Sequence, residues 1–127
     1  MNGYLLRSGE GVTDEDLTAK ATSERTGGAL GLAECHTTTG APPHIHKNED
    51  VAFYVLEGVL TVRCGDDTWE ADRGCFLYMP RQIRHSWDVN TLSANLLIIS
   101  TPPAETDERA LTAADTPGPE TSGIVWC

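Results

Sequence analysis

Short apolar stretches separated by glycine and proline are the feature that most constrains the fold of this chain. Twelve Gly and seven Pro are spread over the 127 residues, and the segments between them are rich in Val, Leu, Ile, Thr and Tyr. Turn residues roughly every 8–12 positions are typical of an all-β sandwich or barrel. Two turns are predicted with particular clarity, at Glu57-Gly58 and at Gly65-Asp66-Asp67.

The pattern predicts nine strands and one short helix in a single domain, residues 1–127. The predicted strands are Tyr4–Arg7, Leu17–Thr22, Ala29–Thr38, Val51–Leu56, Val59–Cys64, Thr68–Ala71, Cys75–Met79, His85–Val89 and Ala94–Ser100. A helix is predicted over Asp107–Ala114, because Thr106 can cap it and acidic residues in its first turn suit the helix dipole. The tail Ile124–Cys127 is apolar enough to fold back onto the body, with a disordered end as the alternative.

The charge balance and the apolar runs exclude several classes of partner. Nine Lys and Arg against nineteen Asp and Glu give a net charge of −10 with neutral His, which disfavours nucleic acid and anionic lipid. The apolar runs are far too short for a membrane span. The beginning of the sequence lacks a basic patch followed by a long apolar segment, so we expect no secretory signal and a cytoplasmic protein. In that reducing compartment Cys35, Cys64, Cys75 and Cys127, which form no CxxC pair, are expected to be free thiols.

Three histidines are the candidate metal ligands. His44 and His46 flank Ile45, and on an extended strand side chains two residues apart point to the same face, so the two imidazoles can converge on one ion. His85 follows the proline-led segment 80–84 and is expected at the start of a later strand. The alternative is that the three rings lie in a lumen that holds no ion, satisfied by water or backbone.

Two stretches of the chain carry a resemblance to a known family. Residues 40–51, which contain Pro42, Pro43 and the His44-Ile45-His46 triplet, together with 53–58 resemble the first motif of the cupins. Gly74 and residues 80–85 resemble the second motif. The chain is most similar to small single-domain cupins of the quercetinase-like type, in which a stretch like Thr26–Ala29 precedes the first motif. The resemblance implies a double-stranded β-helix, or jelly-roll barrel, with its core over about 17–103 and the helix and tail over about 104–127. It also implies a homodimer formed through sheet edges.

The sequence departs from the family pattern at two positions. The acidic metal ligand that the first motif carries seven residues before Gly58 is Val51 here, and Gln82 stands where the second motif has a glycine. Three neutral imidazoles leave a divalent ion at its full charge with open coordination positions, which favours an anionic chelating substrate. The resemblance implies Fe, Ni, Mn or Zn as the ion, without distinguishing them.

Glu49 is a candidate catalytic residue with two interpretations. If the following strand already includes Glu49, its carboxylate lies on the same face as Val51 and reaches inward, while Asp50 points out. The favoured prediction is a solvated acidic pair, Glu49 and Asp50, in a turn after Lys47-Asn48.

Alternation along two predicted strands suggests a substrate chamber. Val51, Phe53 and Val55 share one face of their strand, and Trp87 shares a face with His85. These four residues would form an apolar, partly aromatic chamber for a flat hydrophobic ligand, with ordinary core packing as the alternative. Arg81 and Arg84 are predicted either to bind an anionic substrate or to pair with nearby acidic residues. His36 is isolated and is expected to be structural.

Two classes of function follow from these residues and the resemblance. The first is a metal-dependent enzyme acting on a small enolisable or phenolic molecule, most simply by dioxygenase-type oxidative cleavage, or by zinc-type cyclisation or isomerisation as in cupin polyketide cyclases. The second is a non-catalytic small-molecule-binding cupin in which Val51 marks the loss of a working site.

Overall fold

The chain folds almost entirely into β-strands. The computed structural model describes residues 2–103 and 124–126, and this part contains one short helix, α1 (Ser23–Thr26), between the second and third strands. The strands are β1 (Val12–Asp14), β2 (Leu17–Ala21), β3 (Gly31–Thr37), β4 (Ala41–His46), β5 (Asp50–Glu57), β6 (Leu60–Cys64), β7 (Asp67–Ala71), β8 (Phe76–Met79), β9 (His85–Val89), β10 (Ala94–Thr101) and β11 (Ile124–Trp126).

The strands form two antiparallel sheets. One sheet has the order β1-β2-β3-β10-β5-β8, and the other has the order β11-β4-β9-β6-β7. Strands distant in sequence therefore lie side by side, as β5 does with β10 and β4 does with β9. The all-β prediction is confirmed.

The core lies between the two sheets, because alternate residues of each strand point inward. In β10 the inward residues Ala94, Leu96 and Ile98 are buried, while their neighbours in sequence are partly exposed. Opposite them, β6 contributes Leu60 and Val62, both fully buried. The predicted alternation of apolar and polar residues is thus the pattern that closes the sandwich.

The first predicted strand was wrong. Residues 4–7 form no strand; instead the Tyr4 hydroxyl donates a hydrogen bond to the Lys20 carbonyl at 2.6 Å, and the Lys20 ammonium donates to the Arg7 carbonyl at 2.9 Å. Side chains, not a backbone ladder, attach this segment to β2. The strand that pairs with β2 is β1, whose three residues carry too little apolar pattern to predict.

The N-terminal half of β4 explains why this strand was not predicted from the sequence. It contains Pro42 and Pro43, which normally argue against a central strand. A shift of register between Ala41 and His44 against β9 accommodates them. The strand also starts beside Gly40, where a side chain would clash, since an added Cβ would lie 1.8 Å from the Trp87 carbonyl oxygen.

The C-terminal strand confirms that the tail folds back onto the body. β11 pairs with β4 in antiparallel register, with Trp126 opposite His44 and Ile124 opposite His46. The predicted helix over Asp107–Ala114 lies outside the described residues, as does Cys127. Within the described part, Cys35, Cys64 and Cys75 are free thiols, as predicted. No helix of that part is long and apolar enough to cross a membrane.

Candidate metal centre

The three candidate histidines lie on two neighbouring strands. His44 and His46 are on β4, and His85 is the first residue of β9. The backbone register places His44 directly opposite His85. Because side chains of paired residues share a face, all three rings point into the sandwich, where their exposed fractions are only 2–6%.

The three rings meet at one place. The ring centroid of His44 lies 4.3 Å from that of His85 and 5.0 Å from that of His46, and the centroids of His46 and His85 are 5.2 Å apart. One potential ligand atom from each ring can be chosen so that all three lie within 4.8 Å of one another. The structure therefore brings together the three residues that the sequence suggested.

The Nδ1 atoms of all three rings are hydrogen-bonded. His44 Nδ1 donates to the carbonyl oxygen of Pro42 at 2.7 Å, and His85 Nδ1 donates to that of Ile83 at 3.3 Å. His46 Nδ1 donates to Oε1 of Glu49 at 2.7 Å. Since Nδ1 carries the proton in each ring, Nε2 keeps its lone pair, and the three Nε2 atoms remain as the available ligand atoms.

Glu49 is not a solvated residue, and that prediction was wrong. Its side chain is almost completely buried, with 1% of its surface exposed, and its carboxylate is the partner of His46. The turn after β4 brings Glu49 back over the ring three residues earlier. The inward-facing alternative is therefore nearer to the observed structure. Among the described residues, the cluster of side chains close enough to bind one metal ion consists of the three histidines and does not include Glu49.

Asp50, the other half of the predicted acidic pair, points outward. Its carboxylate accepts hydrogen bonds from the backbone N–H and the guanidinium of Arg81, at 2.9 and 3.2 Å. These bonds hold the pKa of Asp50 at about 2. Arg81 therefore offsets a nearby acid, which was one of its two predicted roles.

Burial keeps two of the imidazoles neutral. It lowers the pKa of His44 to about 4, although the hydrogen bond to Pro42 acts in the opposite direction. Burial also lowers the pKa of His85 to about 3, and the neighbouring His44 and His46 contribute to the shift. A neutral imidazole with a free lone pair is the form that binds a metal ion.

The turn between β8 and β9 fastens His85 beside β4. Gln82, at the position where the resemblance implies a glycine, adopts a left-handed backbone conformation with φ of 70°. Its backbone N–H donates to the His46 carbonyl at 2.7 Å, and its side-chain amide donates to the Lys47 carbonyl at 2.8 Å. The substitution is therefore accommodated by two bonds that a glycine could supply only in part.

The four predicted chamber residues are all buried, with exposed fractions of 0–7%. Val51, Phe53 and Val55 belong to the core between the sheets. Phe53 packs its edge against Trp87, with ring centroids 5.1 Å apart. Their contact with a substrate stays a prediction.

Trp126 is a site residue that the sequence analysis missed. Its ring centroid lies 4.9 Å from that of His44. It also lines a cavity of about 180 Å³ between the sheets, as does Trp87. The only signal in the sequence was the apolar character of the tail, which does not say where the tail docks.

His36 stands apart from this cluster. It is exposed on β3, and its Nδ1 is hydrogen-bonded to the side chain of Asn95. Its predicted structural character agrees with this placement.

Comparison with known families identifies the chain. The family model described as "Cupin domain" matches residues 32–101, more than half of the sequence. The chain belongs to the cupin family. The cupin jelly-roll prediction is thereby confirmed, whereas the quercetinase-like subtype stays a prediction. No curated protein matches the sequence.

Solved structures with the same fold share little sequence with this cupin. KdgF from Halomonas sp. superposes with a TM-score of 0.63 at 15% identity, covering 84% of this chain and 98% of that one. The cupin domain of Cnp3 from Schizosaccharomyces pombe superposes with a TM-score of 0.59 at 14% identity, covering 66% of this chain and 61% of that one. A cupin-2 domain containing protein from Shewanella frigidimarina superposes with a TM-score of 0.51 at 20% identity, covering 56% of this chain and 69% of that one. This chain thus spans less than two thirds of the Cnp3 domain, and the likeness concerns the fold.

The residues present fit a divalent transition metal ion. Three buried imidazoles, each held through Nδ1, offer nitrogen ligands of the kind that Zn, Fe and Ni accept. The hydrogen bonds from Nδ1 to carbonyl or carboxylate oxygens are the usual support of metal-binding histidines.

Proposed function

We propose that His44, His46 and His85 hold a divalent transition metal ion, and that this cupin is an enzyme acting on a small enolisable or phenolic molecule. The proposal is carried by the Nδ1 hydrogen bonds of the three buried rings. They leave one free nitrogen on each ring, in a cluster where burial keeps His44 and His85 neutral.

The reaction class we assign is dioxygenase-type oxidative cleavage. A bound Fe, Ni or Mn ion would supply Lewis acidity and chemistry with O₂, whereas Zn would supply Lewis acidity alone. A histidine binds a metal ion as a neutral imidazole, so three histidine ligands would add no charge of their own. An oxygen donor that becomes anionic, such as an enolate or a phenolate, therefore complements this site better than a neutral ligand does.

The remaining residues position the ligands and keep the site dry. Glu49 holds the ring of His46, and the Pro42 and Ile83 carbonyls hold the other two. Trp126 covers His44 from the β11 side. An ion held by these buried histidines would thus have the indole of Trp126 close to one of its ligands, in surroundings where an electrostatic contact is stronger than it is in water.

Metal analysis tests the first half of the proposal. Protein purified without chelator is expected to contain, or to take up, close to one equivalent of Fe, Ni, Mn or Zn. If it carries less than ~0.1 equivalent and none can be loaded, the proposal is wrong.

Oxygen consumption tests the second half. Protein loaded separately with each ion is mixed with single-ring phenols and with β-diketones, and O₂ uptake and product are measured. Uptake with Fe, Ni or Mn supports the dioxygenase. Turnover without O₂ uptake in the Zn form would replace it with the cyclase or isomerase. A loaded protein that binds these compounds without turnover would replace it with the non-catalytic binding cupin, for which the valine at position 51 is the supporting observation.

A further inference from the structure

A cavity of about 180 Å³ is lined by residues of both sheets, among them Trp87 and Trp126, and its size, wall and charge limit what it can bind. We infer that it binds an uncharged single-ring aromatic molecule carrying hydroxyl groups, and that a flavonol is too large for it. As a statement about substrate this inference rests on the proposed function, but the binding itself does not depend on a metal.

The volume sets the number of rings. A dry protein cavity of about 150 Å³ holds one benzene molecule, so a cavity of about 180 Å³ has room for one ring with small polar substituents. A flavonol has three rings. A three-ring molecule could enter only in part, with the remainder past the exposed rim residues Glu15, Asp16 and Thr39, so we expect it not to bind here.

The wall is suited to a flat ring. Trp87 and Trp126 contribute aromatic surface from β9 and β11, while Leu17 and Ile98 contribute aliphatic surface from the opposite sheet. Aromatic side chains prefer offset-stacked or edge-to-face contact with another ring. Thr39 also lines the cavity, and a hydroxyl of this kind can fix the orientation of a ligand by a hydrogen bond. The neighbouring Thr37 hydroxyl already donates to the Thr39 carbonyl.

The charge at the cavity excludes anions. Glu15 and Asp16, in the turn between β1 and β2, line it, and none of its described lining residues is Lys, Arg or His. Cys35, which also lines it, is no anion site, because burial and the adjacent Asp16 raise its thiol pKa to about 12. A carboxylate or phosphate ligand would meet two acidic groups with no compensating cation, so a neutral phenol is preferred.

Trp126 joins the cavity to the histidines. It lines the cavity, it is opposite His44 in the β4–β11 register, and the two ring centroids are 4.9 Å apart. Trp87 also lines the cavity and lies two residues after His85, on the same face of β9. Trp126 is therefore a contact between the cavity wall and His44, although no histidine lines the cavity itself.

The test uses the full chain without metal and three probes: catechol, benzoate and quercetin. Each of the three tryptophans gives an indole N–H signal, and Trp69, which lines a separate cavity beside β7, reports binding outside the proposed site. Millimolar catechol is expected to shift the Trp87 and Trp126 signals and leave that of Trp69 unchanged. Benzoate is expected to bind at least ~10-fold more weakly, and quercetin is expected not to compete with catechol.

Three substitutions and a matched control test the assignment. Ala41→Leu fills the cavity and should weaken catechol binding at least ~10-fold. If this variant fails to fold, Thr39→Phe, at an exposed position of the rim, replaces it and should have the same effect. Asp16→Asn should reduce the ratio of catechol affinity to benzoate affinity about two- to threefold. Asp66→Asn, in the distant β6–β7 turn, is the control and should leave this ratio unchanged.

The results that would contradict this inference differ from those that would contradict the proposed function. If catechol shifts neither cavity tryptophan, or if filling the cavity leaves its binding unchanged, the binding site is wrong. If quercetin displaces catechol from the same two signals, the size limit is wrong. Each result is obtained without metal, so it leaves the three-His proposal to the metal analysis.

Discussion

Oε1 of Glu49 lies 2.7 Å from Nδ1 of His46, and both side chains are buried. The bond holds the proton on Nδ1, so that Nε2 is the free nitrogen of this ring. A carboxylate in this position also makes the imidazole a stronger electron donor toward a metal ion. Glu49 therefore supplies negative charge behind the ring of His46, on the side away from the free nitrogen.

Replacing Glu49 should therefore weaken metal binding without removing a ligand. Glu49→Gln keeps a hydrogen-bond acceptor and removes the charge, and we expect metal affinity to fall ~10–100-fold, as measured by competition with a chelator. Asp50→Asn is the matched control, because this neighbouring acid pairs with Arg81 at the surface. Equal affinity for the Glu49 variant and the wild type would contradict the role assigned to this carboxylate.

Loss of one imidazole should weaken metal binding more than loss of Glu49 does. His85→Ala removes a ligand atom from the cluster, and metal affinity should fall by more than ~100-fold, beyond the usual effect of a supporting residue. His36→Ala provides the control, since this fourth histidine is exposed and bonded to Asn95. The metal content of the two purified variants decides the matter, and a His85 variant that retains a full equivalent would remove this residue from the site.

The sequence could predict the histidine cluster because strand geometry alone brings its members together. The two-residue repeat of a strand puts His44 and His46 on one face, and a proline-led turn before His85 gives a third residue at a strand start. Pairing of β4 with β9 then places His85 opposite His44. Nothing in this reasoning depends on the details of side-chain packing.

The environment of the cluster could not be predicted in the same way. Glu49 is acidic and adjacent to a turn, and such residues are usually solvated; its burial depends on a tertiary contact with the ring of His46. Trp126 is far from the histidines in sequence, and its place beside His44 is set by the pairing of β11 with the edge of β4. Local pattern carries no information on such a long-range contact.

The metal-free protein should lose stability as the pH falls from about 6.5 toward 4. Burial depresses the pKa of His44 to about 4 and that of His85 to about 3, while the unfolded chain has values near 6.5. In this range the unfolded state binds more protons than the folded state, so acid favours unfolding. Each of the two histidines contributes up to about 1.4 kcal/mol per pH unit to the free energy of unfolding.

Denaturant unfolding at several pH values, with chelator present, measures this slope. The double variant His44→Asn/His85→Asn should have a flatter profile than the wild type, because acids elsewhere titrate equally in both. His36→Ala should keep the wild-type slope. Parallel profiles for the double variant and the wild type would show that the two buried rings are not the groups that titrate.

A carboxylate at position 51, where the resemblance predicts a metal ligand, should make folding depend on metal. Val51 is buried on β5, so Val51→Glu places a carboxylate in the core, and without metal we expect a loss of stability on the order of 3 kcal/mol. With metal the carboxylate gains a partner, so loading should raise the melting temperature more in this variant than in the wild type. Val55→Glu is the matched control, because Val55 is equally buried on the same face of β5 but lies outside the position of the motif's ligand. Thermal unfolding of both variants with and without Zn or Ni gives the answer: rescue of Val51→Glu alone places position 51 at the ion, whereas equal rescue of both variants, or of neither, contradicts it.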